Sequence, residues 1–173
     1  MTGLQAHIPR PRGVVAVSSA GESLQERYAP NGVCFGCGPK NQGGLHLRSF
    51  PSGDKVVADW TPRKEHVAFG NFGSGGIISV LMDCHGNWAA TCALMRAKGL
   101  DAPPGTVTAE YTVKFLKPSP IDARWRLTAW SARVEGDTVD VSGALEVNGV
   151  TTAKMSGTFV AVKEGHPAYY RWH

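Results

Sequence analysis

A single carboxylate interrupts the most apolar stretch of the chain: Asp83, in "NFGSGGIISVLMDCHG" at residues 71–86. Buried, charged and unpaired, an aspartate there would cost several kcal/mol, so it needs a partner, a raised pKa or access to water. A carboxylate placed in this way can attack a carbonyl or activate water against it. The glycines at the start of the same stretch, Gly75 and Gly76, let a carbonyl approach the backbone closely. If the stretch is helical, its first amides and its dipole favour the oxyanion that forms. The structural alternative is an Asp83 that accepts a hydrogen bond across a subunit contact. Gly75 and Asp83 are eight residues apart, roughly 12 Å along one helix at 1.5 Å per residue. Side-chain tilt shortens this by only a few Å. One helix does not bring both groups to one carbonyl, whereas two antiparallel helices about a two-fold axis do. We therefore expect a dimer with sites at its interface.

Other reactive side chains are less specific. Ser74 precedes the glycines and suits a helix N-cap; "FGSGG" lacks the first glycine of the G-x-S-x-G nucleophile motif. His85 lies two residues after Asp83 and so points about 200° away around a helix, towards core or interface. Cys34 and Cys37 form C-x-x-C, half of a metal site or a redox pair. With Cys84 and Cys92 assigned to the helix, the remaining ligands are missing, so the motif is expected to be a glycine-rich turn, with no metal and no cofactor.

The elements that position these groups follow from pattern. The 173 residues, 42% hydrophobic and 18% charged, suit one globular domain. Charged and polar residues break every run long enough to span a membrane, and the N-terminus lacks the order of a signal peptide, so a cytoplasmic protein with reduced thiols is expected. The net charge of +4 is scattered, which favours an anionic small molecule over nucleic acid. Residues 1–30, rich in Pro, Gly and Ser, read as a flexible N-terminal arm, 31–165 as a single domain and 166–173 as an aromatic tail that docks on its own sheet or on a neighbour. "LHLRSF" and "KVVADW" across "PSGD" suggest a hairpin. Residues 75–97 are the one long helix, apolar on most faces and hence central. Four strand segments follow in a row, with Gly136-Asp137 and Asn148-Gly149 at turns, as in an antiparallel meander. The fold class is α+β: a curved antiparallel sheet wrapped around a central helix.

Three segments, "CFGCGPKNQGGLHLRSF" (34–50), "TPRKEHVAFGNFGSGGIISVLMD" (61–83) and "TVTAEYTVKFLKPSPI" (106–121), resemble the hotdog-fold thioesterases of the phenylacetate-degradation type, in the branch with an N-terminal CxxCG motif. The resemblance runs from Cys34 to about Val162. It implies an acyl-CoA thioesterase, acting as a dimer or a dimer of dimers on an acyl thioester. Asp83 would be nucleophile or general base, the Gly75 amide the oxyanion donor, Gly76 its packing support, and Thr108 a hydroxyl assisting the acid. His66 matches a loop histidine that would line the entrance. Lys114, Lys117 and Arg124 would meet the phosphates of coenzyme A at the groove mouth. Relatives carry histidine where this chain has Ser74. That departure keeps two alternatives in view: a hotdog protein that binds an acyl or aromatic ligand without turnover, and a hotdog dehydratase.

Overall fold

The structure, a computed structural model, describes residues 21–172. Its centre is helix α2 (Gly75–Lys98); a five-residue helix α1 (Leu24–Tyr28) lies to one side. α2 ends where Gly99 turns left-handed (φ 63°) and gives its amide to the Met95 carbonyl, a conformation that a side chain would resist. From Leu81 to Leu94 every residue is buried except Asp83. The low amphipathicity read from the sequence is thus that of a helix enclosed on nearly all sides, with one charged gap.

The enclosing layer is a six-stranded antiparallel sheet. In chain order its strands are β1 (Phe50–Ser52), β2 (Lys55–Trp60), β5 (Thr106–Phe115), β6 (Trp125–Glu135), β7 (Thr138–Val147) and β8 (Val150–Ala161). In space they run β1-β2-β6-β7-β8-β5, while a short pair, β3 (Val67–Phe69) and β4 (Phe72–Gly73), leads into α2. This architecture is the hotdog fold. β7 shows its logic most simply: Val139, Val141, Gly143, Leu145 and Val147 alternate inward with period two and meet α2. Gly86 lets α2 and β8 close, because a Cβ there would stand 2.6 Å from Met155 Cε and 2.9 Å from Phe159 Cζ. Trp88, Trp125, Phe159, Leu81 and Leu94 fill the space between, each worth about 1.5–3 kcal/mol or more of burial. At the β7–β8 turn Asn148 and Gly149 both have positive φ (51° and 76°), as a tight hairpin requires.

Several expectations need correction. Only β6, β7 and β8 form the meander; β5 pairs with β8 at the far edge rather than with β6. Pro118 and Pro120 lie between β5 and β6, and a segment with two fixed φ angles and two missing donors crosses over more readily than it hairpins. The first arm of the expected hairpin is also shorter. Residues 45–49 are irregular, with His46 at φ 52°, and their amides at Leu45 and Leu47 go to the carbonyls of Phe35 and Gly36. Leu45, Leu47 and Ser49 nevertheless alternate into the interior and are buried.

Residues 1–20 of the expected arm lie outside the described residues. Ser23 to Ala29, however, belong to the folded body. Ser23 and Glu26 form a capping box on α1, and Leu24, Gln25 and Ala29 are buried. The aromatic tail docks on its own chain: the Trp172 ring lies 4.5 Å from that of Trp88, and its indole N–H donates to the Pro104 carbonyl (2.8 Å). Among the described residues no helix is long and apolar enough to cross a membrane.

Candidate active site

α2 turns Asp83 towards β5, where Thr108 Oγ1 donates to Asp83 Oδ1 at 2.6 Å. The register of β5 against β8 shifts between Thr108 and Glu110, a bulge of the kind that re-aims side chains beside functional groups. The Asp83 carboxyl is half-buried, and burial holds its pKa above the ordinary value. The Thr108 bond and the charge of Arg171 pull the other way, and Cys34 adds to the rise. Thr108, expected only as an assistant, is the hydrogen-bond partner that a buried carboxylate requires.

Two turns back along the same helix is its glycine-rich start. Ser74 holds the N-cap position in extended backbone, yet its hydroxyl makes no capping bond, so the expected side-chain cap is absent. Its amide instead donates to the His66 carbonyl (2.8 Å). His66 is buried rather than exposed at an entrance. Its ring lies 4.9 Å from Trp60, and its Nδ1 accepts from the Arg63 amide (2.9 Å). Burial, helped by Arg63, lowers its pKa and keeps it neutral. A cavity of about 350 Å³ opens beside the helix start, lined by Phe69, Phe72, Gly75, Ile78, Phe115 and Lys117, among others. Gly75 is close-packed there, since a Cβ would lie 3.3 Å from Phe115 Cζ. Gly76 is exposed, with only Ser74 Oγ near its would-be Cβ.

Lys117 therefore reaches the cavity. Lys114 is exposed on the edge strand opposite Lys154, and Arg124 pairs with Asp59 (3.8 Å) on the surface. Asp83 does not line this cavity. Within the chain Asp83 stays with Thr108 and Gly75 with the cavity, roughly 12 Å apart along the helix.

Three features of the site were missed in the sequence. Cys84, set apart as a helix residue, meets the C-x-x-C turn: the Sγ atoms of Cys34, Cys37 and Cys84 lie within 4.8 Å of one another, Cys34 and Cys84 at 3.6 Å. Hydrogen bonding from Cys37, then Cys84, favours the Cys34 thiolate against burial, and the amides of Cys37 and Gly36 add to this; Cys37 and Cys84 are pushed up in turn. Arg171, from the tail, brings its charge to bear on Asp83 and donates to the Thr106 carbonyl. His85 is a core residue, as its position around the helix indicated, but it also organises a buried chain. Gln25 Nε2 donates to Ser49 Oγ (3.1 Å), Ser49 lies 2.9 Å from His85 Nδ1, and His85 Nε2 lies 3.0 Å from the Val56 carbonyl.

No family model and no curated protein sequence matches the chain. Solved structures do. A thioesterase superfamily protein from Shewanella loihica is 29% identical, with a TM-score of 0.58 over 68% of this chain and 91% of that one. The PaaI protein from the phenylacetic acid degradation operon of E. coli is 16% identical, with a TM-score of 0.59 over 69% and 81%. A Thermus thermophilus thioesterase complexed with coenzyme A and Zn is 14% identical, with a TM-score of 0.51 over 65% and 83%. The two more distant likenesses speak for the fold. Taken with the first, they make the chain similar to the hotdog-fold thioesterase superfamily.

Proposed function

We propose that this chain is a hotdog acyl-CoA thioesterase, hydrolysing an acyl thioester to free acid and coenzyme A at sites shared between two copies. The observation that carries the reading is Asp83: the one residue left partly open in an otherwise buried run of the core helix, bonded to Thr108 and held above its ordinary pKa by burial. A carboxylate made more basic in this way takes a proton from water more readily. The hydroxide forms the new C–O bond at the thioester carbonyl. The oxyanion meets the Gly75 amide at the helix start of the second copy, and the C–S bond breaks as the thiolate recovers the proton from Asp83. Thr108 fixes one carboxylate oxygen and leaves the other to the water. His66 and Ser74 hold the helix entry through their backbone bond, and Lys117, with Lys114 further along the strand edge, supplies positive charge for the phosphates of coenzyme A.

The second copy is argued from the same helix. Gly76, Ser79, Val80 and Asp83 form a stripe on α2 that its own sheet does not fully cover. β5 is a sheet edge carrying the exposed apolar side chains Tyr111 and Phe115. A copy placed against this edge and stripe brings the two helix starts to the two aspartates. A cytoplasmic setting with reduced thiols belongs to the same reading.

The test is thiol release from short, medium and aromatic acyl-CoA esters, comparing wild type with Asp83→Asn, the mass of each being read by light scattering. Turnover by a dimer or tetramer, falling 10²–10⁴-fold in the variant, is expected. Binding of the esters without thiol release would replace the enzyme with a ligand-binding protein. Loss of water from a hydroxyacyl ester without thiol release would make it a dehydratase.

A further inference from the structure

The thiol cluster, two buried cysteines and a half-buried one, stands apart from thioester hydrolysis and is built more carefully than core packing needs. We propose that Cys34, Cys37 and Cys84 form a three-thiolate site for a thiophilic d10 cation, Zn²⁺ foremost, which ties the glycine-rich loop to α2 immediately beside Asp83. Around a tetrahedral zinc with Zn–S bonds of about 2.3 Å, sulfurs lie roughly 3.8 Å apart. The three here already lie within 4.8 Å of one another, with one pair at 3.6 Å. Closing on a cation therefore needs side-chain adjustments on the order of 1 Å and no new fold.

The backbone is shaped for this approach. Gly36 rests directly on the helix, where a Cβ would stand 2.4 Å from Cys84 Sγ and 2.9 Å from Val80 Cγ1. Gly38 closes the turn: its amide donates to the Cys34 carbonyl (2.8 Å), and a Cβ would meet Cys34 N at 2.4 Å. No larger residue fits at either position, so the C-x-x-C turn and Cys84 are held together by glycine on one side and by the core helix on the other.

Donors converge on the sulfurs as well. The amides of Gly36 and Cys37 lie close enough to Cys34 to favour its thiolate. Trp88 is 1% exposed, and its indole N–H has no oxygen or nitrogen acceptor, the one buried side-chain polar atom among the described residues without a partner. It faces Cys37, whose thiolate it would favour. A neutral thiol is a weak acceptor, and a metal-bound thiolate is a good one, so the orphaned donor is explained when Cys37 is a ligand. Cys34 and Cys37 also line a cavity of about 240 Å³ whose wall includes Arg171 and Trp172. That side offers the fourth position to water, and Arg171 offsets the net negative charge of three thiolates on a divalent ion.

The test uses the full chain, free of any histidine tag, reduced under inert gas and stripped of metal. One equivalent of Zn²⁺ per chain is expected to bind, to slow alkylation of Cys34, Cys37 and Cys84 as mapped by mass spectrometry, and to leave Cys92 unchanged. Co²⁺ in its place is expected to give thiolate-to-metal charge transfer and the visible bands of tetrahedral cobalt. Cys34→Ser, at a half-buried position, is expected to weaken Zn²⁺ at least tenfold. Zinc uptake equal in wild type and Cys34→Ser, unchanged alkylation of the three thiols, or octahedral cobalt bands would each overturn the proposal. All of these are read without thioester, so they do not depend on the proposed hydrolysis.

Discussion

Replacing His85 with glutamine tests the buried polar chain through its response to pH. The Val56 carbonyl can only accept, so His85 Nε2 carries a proton, and Nδ1 accepts from the Ser49 hydroxyl. Ser49 Oγ in turn accepts from Gln25, whose Oε1 takes the Ser49 amide (2.8 Å). Every atom is satisfied by a neutral imidazole. A second ring proton would face the Ser49 hydrogen and charge a fully buried ring, and burial accordingly pulls the His85 pKa from 6.5 down to about 4. The unfolded chain takes up a proton near pH 6.5, where the folded chain does not. His85 therefore contributes stability that is fully present above about 6.5, declines as pH falls towards 4 and is flat below. The drop is about 3 kcal/mol, from roughly 2.5 pKa units at 1.36 kcal/mol each. Urea unfolding of wild type and His85→Gln, from pH 7.5 to 4, isolates this from the carboxylates common to both. The fixed cost of the substitution cancels, and the wild-type advantage should shrink by about 3 kcal/mol over that range. A difference that stays constant with pH would show that the ring is charged or solvated in the folded state and would refute the network as drawn.

Thr108→Val keeps the shape of β5 and removes the donor to Asp83. Because that bond lowers the carboxyl pKa, the acid limb of the kcat/KM profile should move to higher pH and kcat/KM should fall about tenfold, the worth of a charged hydrogen bond; an unmoved limb would contradict it. Trp172→Ala removes a ring packed on Trp88 and a bond to Pro104, and should cost about 3 kcal/mol, read as a lower urea midpoint at unchanged m-value. In Gly73→Ala the new Cβ would stand 2.3 Å from the ring of the fully buried Trp125, next to the start of α2. It should lose about 1–3 kcal/mol in the same assay and blunt turnover.

What the sequence showed depended on how local its cause was. Period-two alternation and the Asn148-Gly149 turn placed β7 and β8 to within a residue or two, because a pleat and a positive φ are properties of neighbouring residues. The limits of α2, expected at 75–97 and found at Gly75–Lys98, were legible for the same reason. Asp83 stood out because a charge inside an apolar helix needs an explanation, and the Thr108 bond now supplies part of it. The pairing of β5 with β8 was not legible, since Thr106 and Ala161 meet through the whole sheet and nothing near either one records it. Nor was Cys84 joined to Cys34 and Cys37. The C-x-x-C-G spacing marked a tight turn, but that Gly36 lays this turn on α2 is a fact of tertiary packing. Ser74 looked like a cap because its residue type permits one; its hydroxyl does not make the bond.

The place of β5 in the sheet also sets what its pairing costs in chain entropy. β6, β7 and β8 close through two-residue turns and need little chain entropy to find one another. β5 pairs with residues that come 38 (Phe115 to Ala153) to 55 (Thr106 to Ala161) positions later, a larger loop closure. Thr108 lies on β5, so the bond to Asp83 needs this longer closure as well as the meander. Within one chain β5, like β1 at the opposite side, has a neighbour on one side only, and edge strands open more readily than central ones. The Thr108 bond to Asp83 thus exists only while β5 is seated on β8, and a chain in which that edge has opened leaves the carboxyl without its donor.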